Sequence, residues 1–289
     1  MTVALPLPWR AVLATARERH PVLRDARLFQ VVFLATLLTV GVLLRDFALL
    51  PQQMALAFVA GIATQKLWLR ALHVEQRGIL SAVITCFGLS LLLRADSLWV
   101  HPLAAVVAIS GKFVLRVRGK HVYNPANLGV IVALSFLPGT WVSAGQWGQA
   151  VALAGWFVVL GGTVAWRAHR SDVAWAFLGA WFALLALRIG VLGQSWGLLA
   201  HQFSNGALLL FAFFMISDPM TIPNRRSTRI AYASLVAVVA FTWQFGLFRT
   251  NALLWALFLC SPLVPLIDRV WPAAKFEWRE QVPSLRVVK

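Results

Sequence analysis

The residues of this chain that could do chemistry are few, and most of them sit at proline breaks. Asp218 precedes Pro219 at the end of an apolar run that closes with Phe213, Phe214, Met215 and Ile216. A carboxylate at the centre of a bilayer costs about 3 kcal/mol, so at such depth it takes a partner or a role. Asp218 can cap the amides of the following turn, bind a cation, bond a ligand N–H, or pair with Arg225 or Arg226. Thr221 lies three residues further on. Asn124-Pro125 makes a helix cap followed by proline at the first helical position. The free amides there suit a phosphate or carbonyl oxygen, and Lys120 and His121 come just before. The plainer reading of that stretch is a capped helix with topology-setting basic residues. Ser204-Asn205-Gly206 interrupts another apolar segment, where Gly206 permits close backbone approach or simply helix packing. Cys86 and Cys260 lie in apolar runs as core thiols, and no cysteine or histidine spacing fits a metal. Neither Gly-x-Ser-x-Gly nor a P-loop occurs, which disfavours a soluble hydrolase. No catalytic residue and no metal ligand is assigned.

The elements that must position these residues read as membrane helices. The chain of 289 residues is 60% hydrophobic and 12% charged, against about half and about a quarter for a soluble domain. Apolar runs cover about 28–44, 51–69, 78–93, 98–114, 124–143, 149–166, 173–192, 196–216, 229–248 and 251–267. Each approaches the ~20 residues that cross a bilayer, some being short enough to be tilted or broken. The expectation is an all-α integral membrane protein of about ten transmembrane helices. A basic amino-terminal segment, 1–27, precedes the ten-helix domain at 28–269, and a tail, 270–289, follows it. The amino-terminal segment has five arginines and no apolar core before a cleavage site, so no signal peptide is expected.

Charge distribution supports that count. With ten spans, both termini and the loops near 66–77, 112–120, 167–170 and 225–229 share one side. Of the 26 Lys and Arg, only Arg45, Arg94, Arg188 and Arg249 fall on the other, which leaves 22 on the first. By the positive-inside rule, both termini are cytoplasmic. The net charge of +16 is thereby explained by topology and attraction to anionic lipid, with no nucleic-acid partner. The fourteen tryptophans read as interfacial belt residues.

Three motifs carry a family resemblance. Phe213 to Thr221 resembles the Phe-Phe-x-x-(Thr/Ser)-Asp-Pro-x-Thr motif of the D subunit of Rnf electron-transport complexes. Pro262-Leu263-Val264-Pro265-Leu266-Ile267-Asp268 is similar to that family's carboxy-terminal Val-Pro-Leu-Ile-Asp. Gly119-Lys120-His121 with Asn124-Pro125-Ala126 resembles its Gly-Lys-His…Phe-Asn-Pro-Ala. The B subunit of the sodium-pumping quinone reductase is a more distant relative. The resemblance implies two inverted five-helix repeats in the cell inner membrane, other membrane or redox subunits as partners, and a flavin. The covalent-FMN loop of the family carries (Ser/Thr)-x-Ala-Thr, whereas residues 138–147 here read Pro-Gly-Thr-Trp-Val-Ser-Ala-Gly-Gln-Trp. Covalent FMN is therefore not expected. A flavin (FMN or riboflavin) or a quinone held non-covalently is the first expectation, in one part of a complex rather than a stand-alone catalyst. Lys120, Asn124, Asn205, Gly206, Asp218 and Thr221 are its candidate lining residues. Two alternatives stay open. One is a small-solute or ion transporter of the same fold without a redox centre; the other is an accessory membrane protein of the kind that accompanies enediyne-type biosynthetic clusters.

Overall fold

The computed structural model describes residues 26–44, 50–73, 78–143, 151–167 and 170–276. The basic amino-terminal segment up to residue 25 and the tail from 277 lie outside the described residues. The described chain is all-α with two short antiparallel ribbons. In order it forms α1 (Ala26–Leu44), α2 (Pro51–Ala71), α3 (Ile79–Leu92), β1 (Leu93–Ala95), α4 (Val100–Val114), β2 (Arg116–Val117) and β3 (Lys120–His121). α5 (Pro125–Phe136), β4 (Thr140–Val142), α6 (Val151–Arg167), α7 (Ser171–Leu192), α8 (Gly197–Phe203) and α9 (Gly206–Leu210) follow. α10 (Arg226–Phe241), α11 (Ala252–Cys260) and α12 (Leu263–Val270) complete it. Wider π-turns extend α9 through Phe211–Met215 and α10 through Thr242–Gly246.

Local chemistry sets several of these ends. Pro51 and Pro125 open α2 and α5, where a missing N–H costs nothing. α7 stops at Gly193, whose φ of 60° makes the left-handed cap that glycine allows. The segment read as one span over 196–216 is bent by 50° between Phe203 and Gly206. Asn205 restarts the helix there by accepting the Ala207 N–H at 2.9 Å. The segment 251–267 is bent by 45° at Ser261-Pro262. The run expected to continue to 143 ends at Phe136, because Thr140–Val142 pairs with Leu93–Ala95. Among the described residues, Ser171–Leu192 and Arg226–Gly246 are long and apolar enough to cross a membrane. If each bent pair is one span, there are up to four. The shorter apolar helices, such as α3 with 14 residues, reach about 21 Å at 1.5 Å per residue.

Large apolar side chains face outwards as well as inwards. Leu187 and Val191 on α7, Val59 and Leu67 on α2, and Phe136 on α5 are all exposed. So broad an apolar exterior fits a chain whose outer face meets lipid. Inside, α2 packs on α3 and α4, α1 on α3, and α4 on α5. Later in the chain α6 packs on α9, α7 on α10, and α10 on α11. α1 also meets α6, and α5 meets α11.

A neighbouring backbone comes closest at Gly129 of α5. A Cβ there would lie 2.7 Å from the Ala104 carbonyl oxygen and 3.0 Å from both Ala108 Cβ and Leu89 Cδ2. The backbone carbonyl cannot step aside as a side chain could. Gly129→Ala should therefore destabilise the fold by about 1–3 kcal/mol. Gly179→Ala, which meets nothing within 4 Å, should not. Thermal melting of both variants in detergent checks the contrast.

Candidate functional site

The three motifs converge on one side chain. The Lys120 ammonium, on the β2–β3 ribbon, is buried. It donates to Asp268 Oδ2 at 2.7 Å, to Asn224 Oδ1 at 3.1 Å and to the Ile222 carbonyl. Asp268, also buried, accepts the Asn224 N–H on its other oxygen at 2.8 Å. All three ammonium protons and both carboxylate oxygens thus have partners. Burial pulls the lysine pKa down, and Asp268 opposes that shift. A second ion pair anchors the same loop: Arg229 donates twice to Asp172 Oδ2, at 2.8 and 3.2 Å, and once to the Asn224 carbonyl at 2.6 Å. Asp172 also draws Arg226 to 3.8 Å.

Asn124 and Asp218 are brought together. Asn124 Oδ1 caps α5 by accepting the Asn127 N–H at 3.1 Å. Its amide nitrogen points to Asp218 Oδ2 and the Met215 carbonyl, both at 3.4 Å. Asp218 Oδ1 accepts the Met220 N–H at 3.0 Å, so it caps the following turn as its sequence position suggests. Asn124, and neither Arg225 nor Arg226, supplies its side-chain partner; Asp172 takes Arg226 and Arg229 instead. Burial pushes the Asp218 carboxyl above its ordinary pKa; the Met220 N–H, Lys112 and Lys120 pull the other way.

Both residues line a cavity of about 380 Å³. One wall is apolar, with Leu69, Leu91, Phe113, Phe213 and Phe214. Gln65, Ser81, Thr85, Lys112 and His121 add polar groups. Lys112 is buried and donates to Gln65 Oε1 at 3.0 Å. His121 bonds the Lys112 carbonyl at 3.1 Å. Burial and then the neighbouring cations Lys112 and Arg116 pull the His121 pKa to about 3, which leaves the ring neutral.

The other candidates fall elsewhere. Lys120 turns to a smaller pocket beside Asp268. Thr221 is buried, its hydroxyl spent on the Asp218 carbonyl at 3.2 Å. Asn205 and Gly206 form the bend before α9 and line neither cavity. Lys112 and Gln65 are the polar residues that sequence reading missed. The available signal was a lysine spaced into the apolar run of α4.

The Lys120–Asp268 pair yields a direct test. Lys120→Met strands a buried carboxylate and should cost about 3–5 kcal/mol, whereas Lys120→Met with Asp268→Leu should recover part of the loss. Chemical denaturation of the two variants in mild detergent measures both.

Residues 140–277 match the model of the NQR2, RnfD, RnfE family. The D subunit of the ion-translocating oxidoreductase complex of Stutzerimonas stutzeri is 32% identical over 130 residues, which cover 44% of this chain and 36% of that protein. The protein of the same name from Tolumonas auensis is 32% identical over 94 residues, covering 32% of this chain and 27% of the relative. The chain thus spans about a third of the length of the curated relatives it matches. The matched residues hold Asp218, Asn224 and Asp268, whereas Lys120 and Asn124, which bond to them, lie before the match. Through residues 140–277, the chain is similar to the NQR2, RnfD, RnfE family.

Proposed function

We propose that the chain is a membrane electron-transport protein of the same kind as the Rnf D subunit, holding a flavin or quinone non-covalently in the cavity beside Asp218. The observation that carries this reading is the composition of that cavity. Its size falls in the range of small-molecule sites, about 300–1,000 Å³. A flat ring system would lie between the leucines and Phe113, Phe213 and Phe214. Asn124 and Asp218 would meet polar edge groups on one side, and Lys112 with Gln65 a carbonyl oxygen on another. The bound group would supply the electron chemistry, and the chain its position, its hydrogen bonds and the exclusion of water. Attachment would be non-covalent, since residues 138–147 offer no (Ser/Thr)-x-Ala-Thr.

The proposal includes ten spans in two inverted halves, both ends cytoplasmic in the inner membrane, and partner subunits of a complex. The pairing of helices supports the repeat. Counting α8 with α9 as the eighth span and α11 with α12 as the tenth, the first element of each half packs on the third, the second on the fourth, and the fourth on the fifth. The two first elements also meet each other, as do the two fifth elements. The names of the relatives, both subunits of an ion-translocating oxidoreductase complex, support the partners.

The absorption spectrum of the purified protein, before and after acid precipitation, tests the cofactor. A flavin band released to the supernatant, or a quinone in the organic extract, is expected. Neither, after gentle purification and addition of both, would overturn the proposal in favour of a solute transporter. Asp218→Asn should lower occupancy by about tenfold, the worth of one hydrogen bond to a buried group, without blocking membrane insertion. The same variant has a pH signature. A carboxyl held above its ordinary pKa binds its proton more tightly folded than unfolded. Its contribution to stability is therefore largest in acid and is lost as pH rises through the folded value. Melting temperature against pH should accordingly flatten in Asp218→Asn.

A further inference from the structure

We infer that the second pocket, of about 200 Å³ beside the β2–β3 turn, binds a phosphate group, carried either by an anionic phospholipid at the membrane surface or by a soluble phosphate ester. Its cations are Lys120, Arg118 and Lys275, and its carboxylate is Asp268. Asp268 is fully engaged by Lys120 and the Asn224 N–H, so it neutralises neither Arg118 nor Lys275. Among the described residues, no carboxylate pairs with Arg116, Arg118 or Lys275. Arg116 and Lys275 nevertheless both donate to one acceptor, the Gly119 carbonyl, at 3.1 and 3.0 Å. Two like charges are thereby held within about 6 Å of each other, an arrangement that an anion between them would relieve.

The backbone gives an independent reason. Arg118 and Gly119 are the two central residues of the β2–β3 turn, with φ of 51° and 77°. Such a turn favours asparagine, aspartate or glycine at its first position, and an arginine there is strained. Strain of this kind is kept where the side chain has a use. Arg118 is exposed and lines the pocket, so its five donors are available to an oxyanion. The neighbouring side chains also suit a headgroup. Val117, exposed and apolar, lines the pocket, and the exposed Trp271 directly precedes its lining residue Pro272; tryptophan marks the membrane interface. His121 lines both pockets and Arg116 lines the larger cavity, but Arg118, Lys120 and Lys275 line the smaller pocket alone, so phosphate binding is tested apart from the redox proposal.

The test uses the full chain in nanodiscs and in detergent. Native mass spectrometry after delipidation should show one retained phosphatidylglycerol and little phosphatidylcholine. Arg118→Asn with Lys275→Gln should weaken retention on the order of tenfold or more for the two lost charges. Arg118→Asn alone should raise the melting temperature of the ligand-free protein, because it relieves the turn, while still reducing retention. That pairing separates a binding role from a structural one. Arg225→Gln, an exposed cation next to the lining residue Asn224 that does not itself line the pocket, should leave retention unchanged. If inorganic phosphate raises the melting temperature through Arg118 and Lys275 but phosphatidylglycerol is not retained, the source is a soluble phosphate ester. The inference is overturned if neither probe responds to these variants, or if Arg225→Gln has the same effect.

Discussion

The buried Lys120 ammonium is the constraint on which the loops around the β2–β3 ribbon depend. A charge taken out of water costs several kcal/mol unless its protons are met by well-placed acceptors. Here the acceptors lie 102, 104 and 148 residues downstream, at Ile222, Asn224 and Asp268. No local structure could satisfy Lys120, so forming this pair requires the β2–β3 ribbon, the loop after Met215 and α12 to be in place together. The Asn224 N–H and carbonyl then extend the constraint, one to Asp268 and the other to Arg229, which is fixed by Asp172 at the start of α7. The site loop is therefore held from both sides, and Asp218 inherits a fixed position against Asn124 without an ion pair of its own.

The breaks in the helices follow from the same accounting of polar groups. At the bend before α9, Asn205 satisfies an amide that the missing turn leaves open. At the π-turn after Leu210, the Ile216 N–H reaches back to Phe211 at 3.0 Å, and the Ser217 hydroxyl takes the Phe213 carbonyl. Irregular backbone is tolerated at membrane depth where it is covered by protein or lines a cavity. Phe211 to Ser217 is buried, and Phe213 to Met215 with Ser217 line the larger cavity. The wide turn is what delivers Asp218 to that wall.

Much of this is legible in the sequence because it rests on local chemistry. Asn124-Pro125 has to start a helix, and it does; Asp218-Pro219 has to end one and cap a turn, and it does. The apolar runs locate the helices to within a few residues. Long-range pairing is not legible. Nothing local says that Thr140–Val142 turns back onto Leu93–Ala95, which shortens α5, or that Asp172 takes Arg226, one of the arginines offered to Asp218. Lys120 lines the smaller pocket and not the cavity of Asp218, a placement the sequence does not give because its partner Asp268 is set by tertiary packing. Lys112 escapes notice because counting basic residues for topology gives every lysine near a helix end the same meaning.

The two buried lysines show why that counting fails. Lys120 faces a carboxylate at 2.7 Å, and its charge is settled within the chain. Lys112 bonds a neutral amide, Gln65, with Asp218 acting on it through space across the polar wall. An ammonium whose hydrogen-bond partner is an amide keeps donors that a carbonyl or anionic oxygen can use, and in a poorly hydrated pocket such a contact is stronger than in water. Lys112 lines the larger cavity, while the settled pair lines the smaller pocket. The division of labour is therefore physical: Lys120 holds the loops together through Asp268, and Lys112 brings an ammonium to the lining of the larger cavity.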